Sequence, residues 1–272
     1  MTRPLSLAHL TFLDLPPPAL VRVAAAAGFA AVGLRLIAVT PTTPGYALMD
    51  DPKMMRETRA ALRDTGVTVN DIEFLRFTPD FQADQFDAFL SVGAELGAKY
   101  IVTAPYDPDL GRLSDNLARF ADRAAGFGLA PVLEFFPWTN VADLQAALEI
   151  VTNTGTASAG VLLDTLHFDR SGSQLGDISR ADPSRLPFIH LCDALVKPSY
   201  SEEELLHTAR EARLIPGHGQ IGLTDILERL PRDTGIGVEI PASAVPESGS
   251  ETARAREIFL GTHKLLGRTA LA

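Results

Sequence analysis

The sequence predicts an α/β chain closed into a single-domain (β/α)8 barrel, and three observations predict it. Short apolar runs alternate with helical patterns along most of the chain, which implies a parallel sheet. Four helical patterns stop at a glycine that a β-rich run follows at once: Gly28, Gly66, Gly97 and Gly128, at intervals of 38, 31 and 31 residues. Each interval holds one helix, one strand and two short loops. The 272 residues suit one barrel or two small domains, and no Pro-, Gly- or Ser-rich linker divides them, so 1–272 reads as one domain. An open doubly wound sheet is the rival. Neither a Gly-x-Gly-x-x-Gly turn after the first strand nor a P-loop supports it.

Each element has a local reason. Strands are expected near 5–9, 30–36, 67–75, 99–104, 130–135, 159–163, 187–192 and 236–240. A glycine just past a helix takes the left-handed conformation that ends it. Asp51-Pro52 offers an N-cap and a proline at the first helical position. Asn140, ahead of Val141-Ala142-Asp143-Leu144, reads as an N-cap with an acid in the first turn. Ser201-Glu202-Glu203-Glu204 reads as a capping box. The stretch 168–186 is expected to be the longest irregular connection, a place where function often sits.

Composition narrows the function. Hydrophobic residues make up 46% and charged residues 21%, an ordinary balance for a packed core. A formal charge of −10 repels phosphate backbones and anionic lipid, so neither nucleic acid nor membrane is an expected partner. The single cysteine, Cys192, allows no intrachain disulfide. Asp14 and Pro16-Pro17-Pro18 interrupt what would be a signal core, and no stretch reaches the roughly 20 apolar residues of a spanning helix. A soluble, cytoplasmic protein acting on a small-molecule substrate is expected.

In such barrels chemistry sits at the C-terminal strand ends. Each of the last four predicted strands ends in an ionisable residue. Glu134 closes Pro131-Val132-Leu133, Asp164 closes Gly160-Val161-Leu162-Leu163, His190 closes Leu186-Pro187-Phe188-Ile189, and Glu239 closes Gly235-Ile236-Gly237-Val238. Any one alone reads as readily as a helix cap, a loop ion pair or a core histidine. Together they would converge on one end of the barrel, where three carboxylates would repel or take up protons. A divalent cation removes that conflict and leaves one negative charge for neighbouring groups to absorb. Oxygen ligands with one imidazole suit Mn²⁺, Mg²⁺, Co²⁺ or Zn²⁺.

Further candidates lie around this set. His9, Arg35 and Glu73 fall late in the first three strands, where they either meet substrate or form a rim ion pair. Trp138, with Phe135 and Phe136, forms either an apolar wall over the site or core packing. Asp193 is either an outer partner of a histidine or a loop cap. Cys192 reads as a packed thiol rather than a nucleophile, and Lys197 as solvent-facing.

The order Glu134, Asp164-x-x-His167, His190-x-x-Asp193 and Glu239 resembles the sugar phosphate isomerase/epimerase family, the xylose isomerase-like TIM barrels. The likeness runs from Leu5 to Ile240, with its motifs in the second half. The resemblance implies that Glu134, Asp164, His190 and Glu239 hold a metal ion and that Glu134 and Glu239 are the catalytic acid/base pair. It also implies that His167 and Arg213 contact substrate oxygens, with Arg213 less closely matched. Pro216-Gly217-His218-Gly219 resembles a loop common in the group. His9 and Trp138 complete the expected substrate-binding residues. Related barrels often pair, which admits a homo-oligomer. The implied activity is a metal-dependent isomerisation or epimerisation of a small sugar or ketose through a cis-enediolate, with a 3-dehydroshikimate- or inosose-type dehydratase as the alternative. A repair endonuclease shares this barrel, but it needs three zinc ions, extra histidines and an Asp-x-His late in the chain, where this sequence has Pro216-Gly217-His218.

Overall fold

Eight parallel strands close on one another in chain order in the computed structural model, which describes residues 3–241 and 249–269. They are β1 (Leu5–Leu7), β2 (Ala31–Arg35), β3 (Thr68–Phe77), β4 (Tyr100–Pro105), β5 (Ala130–Glu134), β6 (Gly160–Asp164), β7 (Phe188–Leu191) and β8 (Gly235–Val238). β1 pairs with both β2 and β8, which removes every sheet edge. All eight expected strands are present, each within a few residues of its expected bounds.

The helices are α1 (Pro17–Ala27), α2 (Pro52–Thr65), α3 (Asp87–Glu95), α4 (Leu110–Ala125), α5 (Leu144–Asn153), α6 (Thr165–Arg170), α7 (Leu175–Arg180), α8 (Glu202–Glu211), α9 (Leu223–Arg229) and α10 (Glu251–Thr269). Gly28, Gly66, Gly97 and Gly128 all have positive φ, as their place after a helix requires. Asp51 caps α2 by accepting from the Met54 amide at 2.9 Å, and Ser201 and Glu204 form the capping box of α8. α4 shows why the helices dock: Leu113, Leu117, Phe120, Ala121 and Ala124 recur at helical spacing and are buried as one stripe.

Two expectations are corrected. Asn140 caps no helix; its amide donates to the Pro108 carbonyl, and Asp143 caps α5 by accepting from the Ala146 amide at 2.8 Å. The acid seen in the first turn is itself the cap, which moves the helix start three residues on. The connection 168–186 is mostly helical rather than irregular, because Asp164 starts α6 straight off β6 and the Gln174–Asp177 box starts α7.

The lumen is divided. Phe74, Val102, Ala104, Val132, Phe136, Leu162 and Phe188 form an apolar cluster separate from the larger core between barrel and helices. On the side of β8, β1, β2 and β3 the lumen is polar and small. A Cβ at Gly237 would lie 2.8 Å from His190 Cδ2, and one at Gly33 would lie 2.4 Å from Asp71 Oδ2, so both glycines leave room for inward side chains. Ser6 is Gly237's register neighbour and shares its inward face.

His9 joins the first two strands at the mouth. Its Nδ1 accepts from the Arg35 amide at 2.7 Å, its Nε2 donates to the Leu15 carbonyl at 2.9 Å, and its ring stacks on Tyr46 at 5.2 Å. Burial pushes its pKa down to about 3, with the Leu15 bond opposing and Arg35 adding to the depression. The unfolded chain takes up this proton near the ordinary value of 6.5. The histidine's full contribution to stability is therefore present above pH 6.5 and is lost as pH falls toward 3, by about 1.4 kcal/mol per pH unit. Urea unfolding between pH 6 and 4 is expected to show a slope about 1 kcal/mol per unit shallower for His9→Gln than for the natural protein; an identical slope would show that this ring does not couple protonation to folding.

Candidate metal centre

Four strand ends bring Glu134, Asp164, His190 and Glu239 together at the C-terminal mouth. Ligand-type atoms from all four lie within 4.8 Å of one another, and all four residues are buried. Two opposite oxygen or nitrogen ligands on one divalent ion stand about 4.2–4.6 Å apart, twice a bond of 2.1–2.3 Å. The cluster thus fits a common ion with only a few tenths of an ångström of adjustment. His190 adds a second sign of fit, since neither ring nitrogen has a hydrogen-bond partner although the residue is 1% exposed. Its Nδ1 faces the cluster, 3.5 Å from Glu239 Oε1.

Asp164 is both helix cap and site residue. Its Oδ1 accepts from the Leu166 and His167 amides at 2.7 and 3.1 Å, starting α6, while Oδ2 turns to Arg213. The cap also sets His167 in the first turn of α6, with its Nε2 3.7 Å from Glu134 Oε1. Phe136 and Trp138 pack edge-on against the His167 ring at 4.8 and 5.2 Å and stack on each other at 5.0 Å. The apolar wall is thus Phe136 and Trp138, while Phe135 belongs to the outer core.

Arg213 supplies the balancing charge. It is 2% exposed, with Nη1 2.5 Å from Asp164 Oδ2 and Nη2 3.1 Å from Glu239 Oε2, and its Nε donates to the Ala209 carbonyl. Asp193 fixes the chain around it. The Asp193 backbone exchanges hydrogen bonds with Leu214, and its carboxylate accepts from the amides of Ala194, Gly217, Gly219 and Ile221. Asp193 is therefore a loop organiser for Pro216–Gly219 and not a partner of a histidine ring.

The charges of the side chains themselves set their protonation. Burial, then Glu239 and Asp164, raises Glu134 well above the carboxylate range. Burial would raise Glu239 too, but His190 and Arg213 hold it low. Burial opposes the charge on His190, and Glu239, Glu134 and Asp71 together outweigh it, lifting the imidazole to about 10. Burial holds His167 down at about 4, so that ring is neutral. Burial raises the Cys192 thiol to about 12, the state of a packed, inert side chain.

His9 lies at the mouth with both nitrogens engaged by main chain, so its link to the site runs through Arg35. Arg35 and Glu73 form a buried ion pair at 3.2 Å. Lys197 is exposed and pairs with Glu204. Sequence reasoning missed Asp71, whose carboxylate enters the lumen beneath the cluster. The signal was the alternation Asp71-Ile72-Glu73, which puts both acids on one face of β3.

Comparisons with known proteins agree with this fold. Residues 21–260 match the family described as xylose isomerase-like TIM barrel. Inosose isomerase of Halalkalibacterium halodurans is 28% identical over 156 residues, 54% of this chain and 53% of that protein, so the chain spans about half the length of the curated relatives it matches. A crystal structure of the IolI protein with a zinc atom superposes with a TM-score of 0.76 at 20% identity, covering 98% of each chain. One of D-psicose 3-epimerase with D-fructose superposes with a TM-score of 0.71 at 15% identity, covering 99% of each.

Arg213 generates a stability prediction. Arg213→Ala leaves Asp164 and Glu239 without their shared counter-charge and is expected to cost about 3–5 kcal/mol in urea unfolding with chelator present. Arg213→Lys recovers only part, because one ammonium cannot reproduce the two-pronged contact. A loss under about 1 kcal/mol for the alanine variant would remove Arg213 from this role. With a closed eight-stranded barrel, this cluster at its mouth, and a family match over most of its length, the chain belongs to the xylose isomerase-like TIM barrels.

Proposed function

We propose that the protein is a divalent-metal-dependent isomerase or epimerase acting on a small sugar or ketose-type substrate. The observation that carries this reading is the convergence of Glu134, Asp164, His190 and Glu239 within 4.8 Å, with the two glutamates on β5 and just past β8. The likeness to inosose isomerases supports a cyclic polyol ketone as the first substrate class to examine. A divalent ion held by the four residues would polarise a substrate carbonyl and its neighbouring hydroxyl as a Lewis acid.

The remaining steps belong to the chain's own side chains. One glutamate removes the proton next to the carbonyl, giving a cis-enediolate. The other returns a proton, on the opposite face in an epimerisation or at the adjacent carbon in an isomerisation. Strands β6 and β7 separate the two glutamates along the barrel wall, so they approach a substrate from different sides. His167, neutral and beside Glu134, is the group for a substrate hydroxyl, and Arg213 is the cation for an oxygen that gains charge. Phe136 and Trp138 cover the ring of His167 and exclude water from that side. Should a β-hydroxyl leave the enediolate, the same site acts as a dehydratase.

Turnover of a panel of inososes, ketoses and dehydroshikimate in D₂O, with Mn²⁺, Mg²⁺, Co²⁺ or Zn²⁺ added and products read by NMR, tests this. Deuterium is expected at the carbon next to the carbonyl, and Glu134→Gln and Glu239→Gln are each expected to lower the rate by about 10²–10⁴. Loss of water in the product would select the dehydratase. Turnover with no solvent deuterium at that carbon would defeat the proton-transfer mechanism.

A further inference from the structure

The polar half of the lumen lies directly beneath the metal centre and has no part in the chemistry above. Asp71 is 1% exposed there. Its Oδ1 accepts from Asn70 Nδ2 at 2.9 Å, but its Oδ2 has no hydrogen-bond partner. Ser6 Oγ, 5% exposed as a residue, has none, nor does His190 Nε2. More than about 90% of buried polar groups in native proteins are bonded, so three orphans in one small compartment call for a common partner.

The compartment is shaped for such a partner. A Cβ at Gly237 would lie 3.3 Å from His190 Nε2, which places that nitrogen over the β8 face, beside Ser6 in register. A Cβ at Gly33 would lie 2.4 Å from Asp71 Oδ2, which places the carboxylate oxygen over β2. β1, carrying Ser6, runs between β8 and β2. The imidazole thus stands over Gly237 beside Ser6, and the carboxylate enters over Gly33, two residues beyond Ser6's β2 partner Ala31; both cross positions where only glycine leaves space. A buried water typically makes about three hydrogen bonds, the number of orphan atoms here.

We infer that Asp71 is the outer partner of His190, joined to it through one ordered water shared with Ser6, and that it orients the ring so that Nδ1 is presented to the metal ion. The chain of contacts runs from Asp71 Oδ2 to water to His190 Nε2–H. Holding the proton on Nε2 leaves the Nδ1 lone pair for the ion, the usual service of a carboxylate behind a ligating histidine. Asp71 touches neither substrate nor ion and is a positioning residue. This inference rests on the metal reading proposed above.

The test reads metal binding, not turnover. The full chain is stripped with chelator and titrated with Co²⁺ while its visible absorption band is followed, alongside thermal melts without metal. Asp71→Ala is expected to weaken Co²⁺ binding by about 100-fold and Asp71→Asn by about tenfold. Ser6→Ala should move affinity the same way by a smaller factor. Metal-free melting temperatures of the Asp71 variants are expected to change little, because the cost of burying the carboxylate offsets what its hydrogen bonds return. A purely structural Asp71 would lower both together. Unchanged Co²⁺ affinity and spectrum in both Asp71 variants would overturn the inference while leaving the metal reading intact, and if the alanine variant fails to fold, the asparagine variant alone decides. A natural protein that binds no Co²⁺ would overturn both.

Discussion

Three carboxylates and an imidazole are held out of water at one mouth of the barrel, and much of the local structure answers that burden. At separations near 4.8 Å, two like charges repel by about 3 kcal/mol even at an effective dielectric constant of 20. Arg213 meets two of the carboxylates at once, and Asp193 ties the chain that follows it to the end of β7. The three carboxylates with a divalent ion would leave a single negative charge, and Arg213 is the group that cancels it. The loop after α8 therefore serves the site electrostatically before it touches any substrate.

The lumen below shows the same economy of placement. Where apolar side chains fill it, from Phe74 of β3 round to β7, the wall is closed by packing. Where Gly33, Gly237 and Ser6 thin it, under β8 to β3, the space admits Asp71 and the His190 ring. Small residues on these strands look in sequence like weak β-formers. In the barrel they are what lets polar groups stand behind His190.

Much of this was legible in the chain. Glycines stopping helices and apolar runs of strand length located all eight strands, because both signals are local. The four ligand-type residues were legible because each ends an apolar run, and strand ends at one barrel face are neighbours in space whatever their separation in sequence. Asp143 as the cap of α5 was less plain, since Asn140 offers the same chemistry three residues earlier and only the path of the chain chooses between them. Asp193 and Asp71 were not legible in their roles. A carboxylate beside a histidine in sequence suggests a bond between them, yet Asp193 turns to four backbone amides, and the acid facing His190's compartment comes from β3.

Local chemistry in the residues alone determined the rhythm of strands and helices, the closure expected of eight such units, and which polar side chains stand at strand ends. Those properties depend on neighbours within a few positions. The tertiary structure alone decided that Arg213 pairs with Asp164 and Glu239, that both nitrogens of His9 are taken by main chain, and that Phe136 rather than Phe135 walls the site. Each of these turns on which way a side chain faces once the barrel has closed, and that direction is set by packing between segments far apart in the chain.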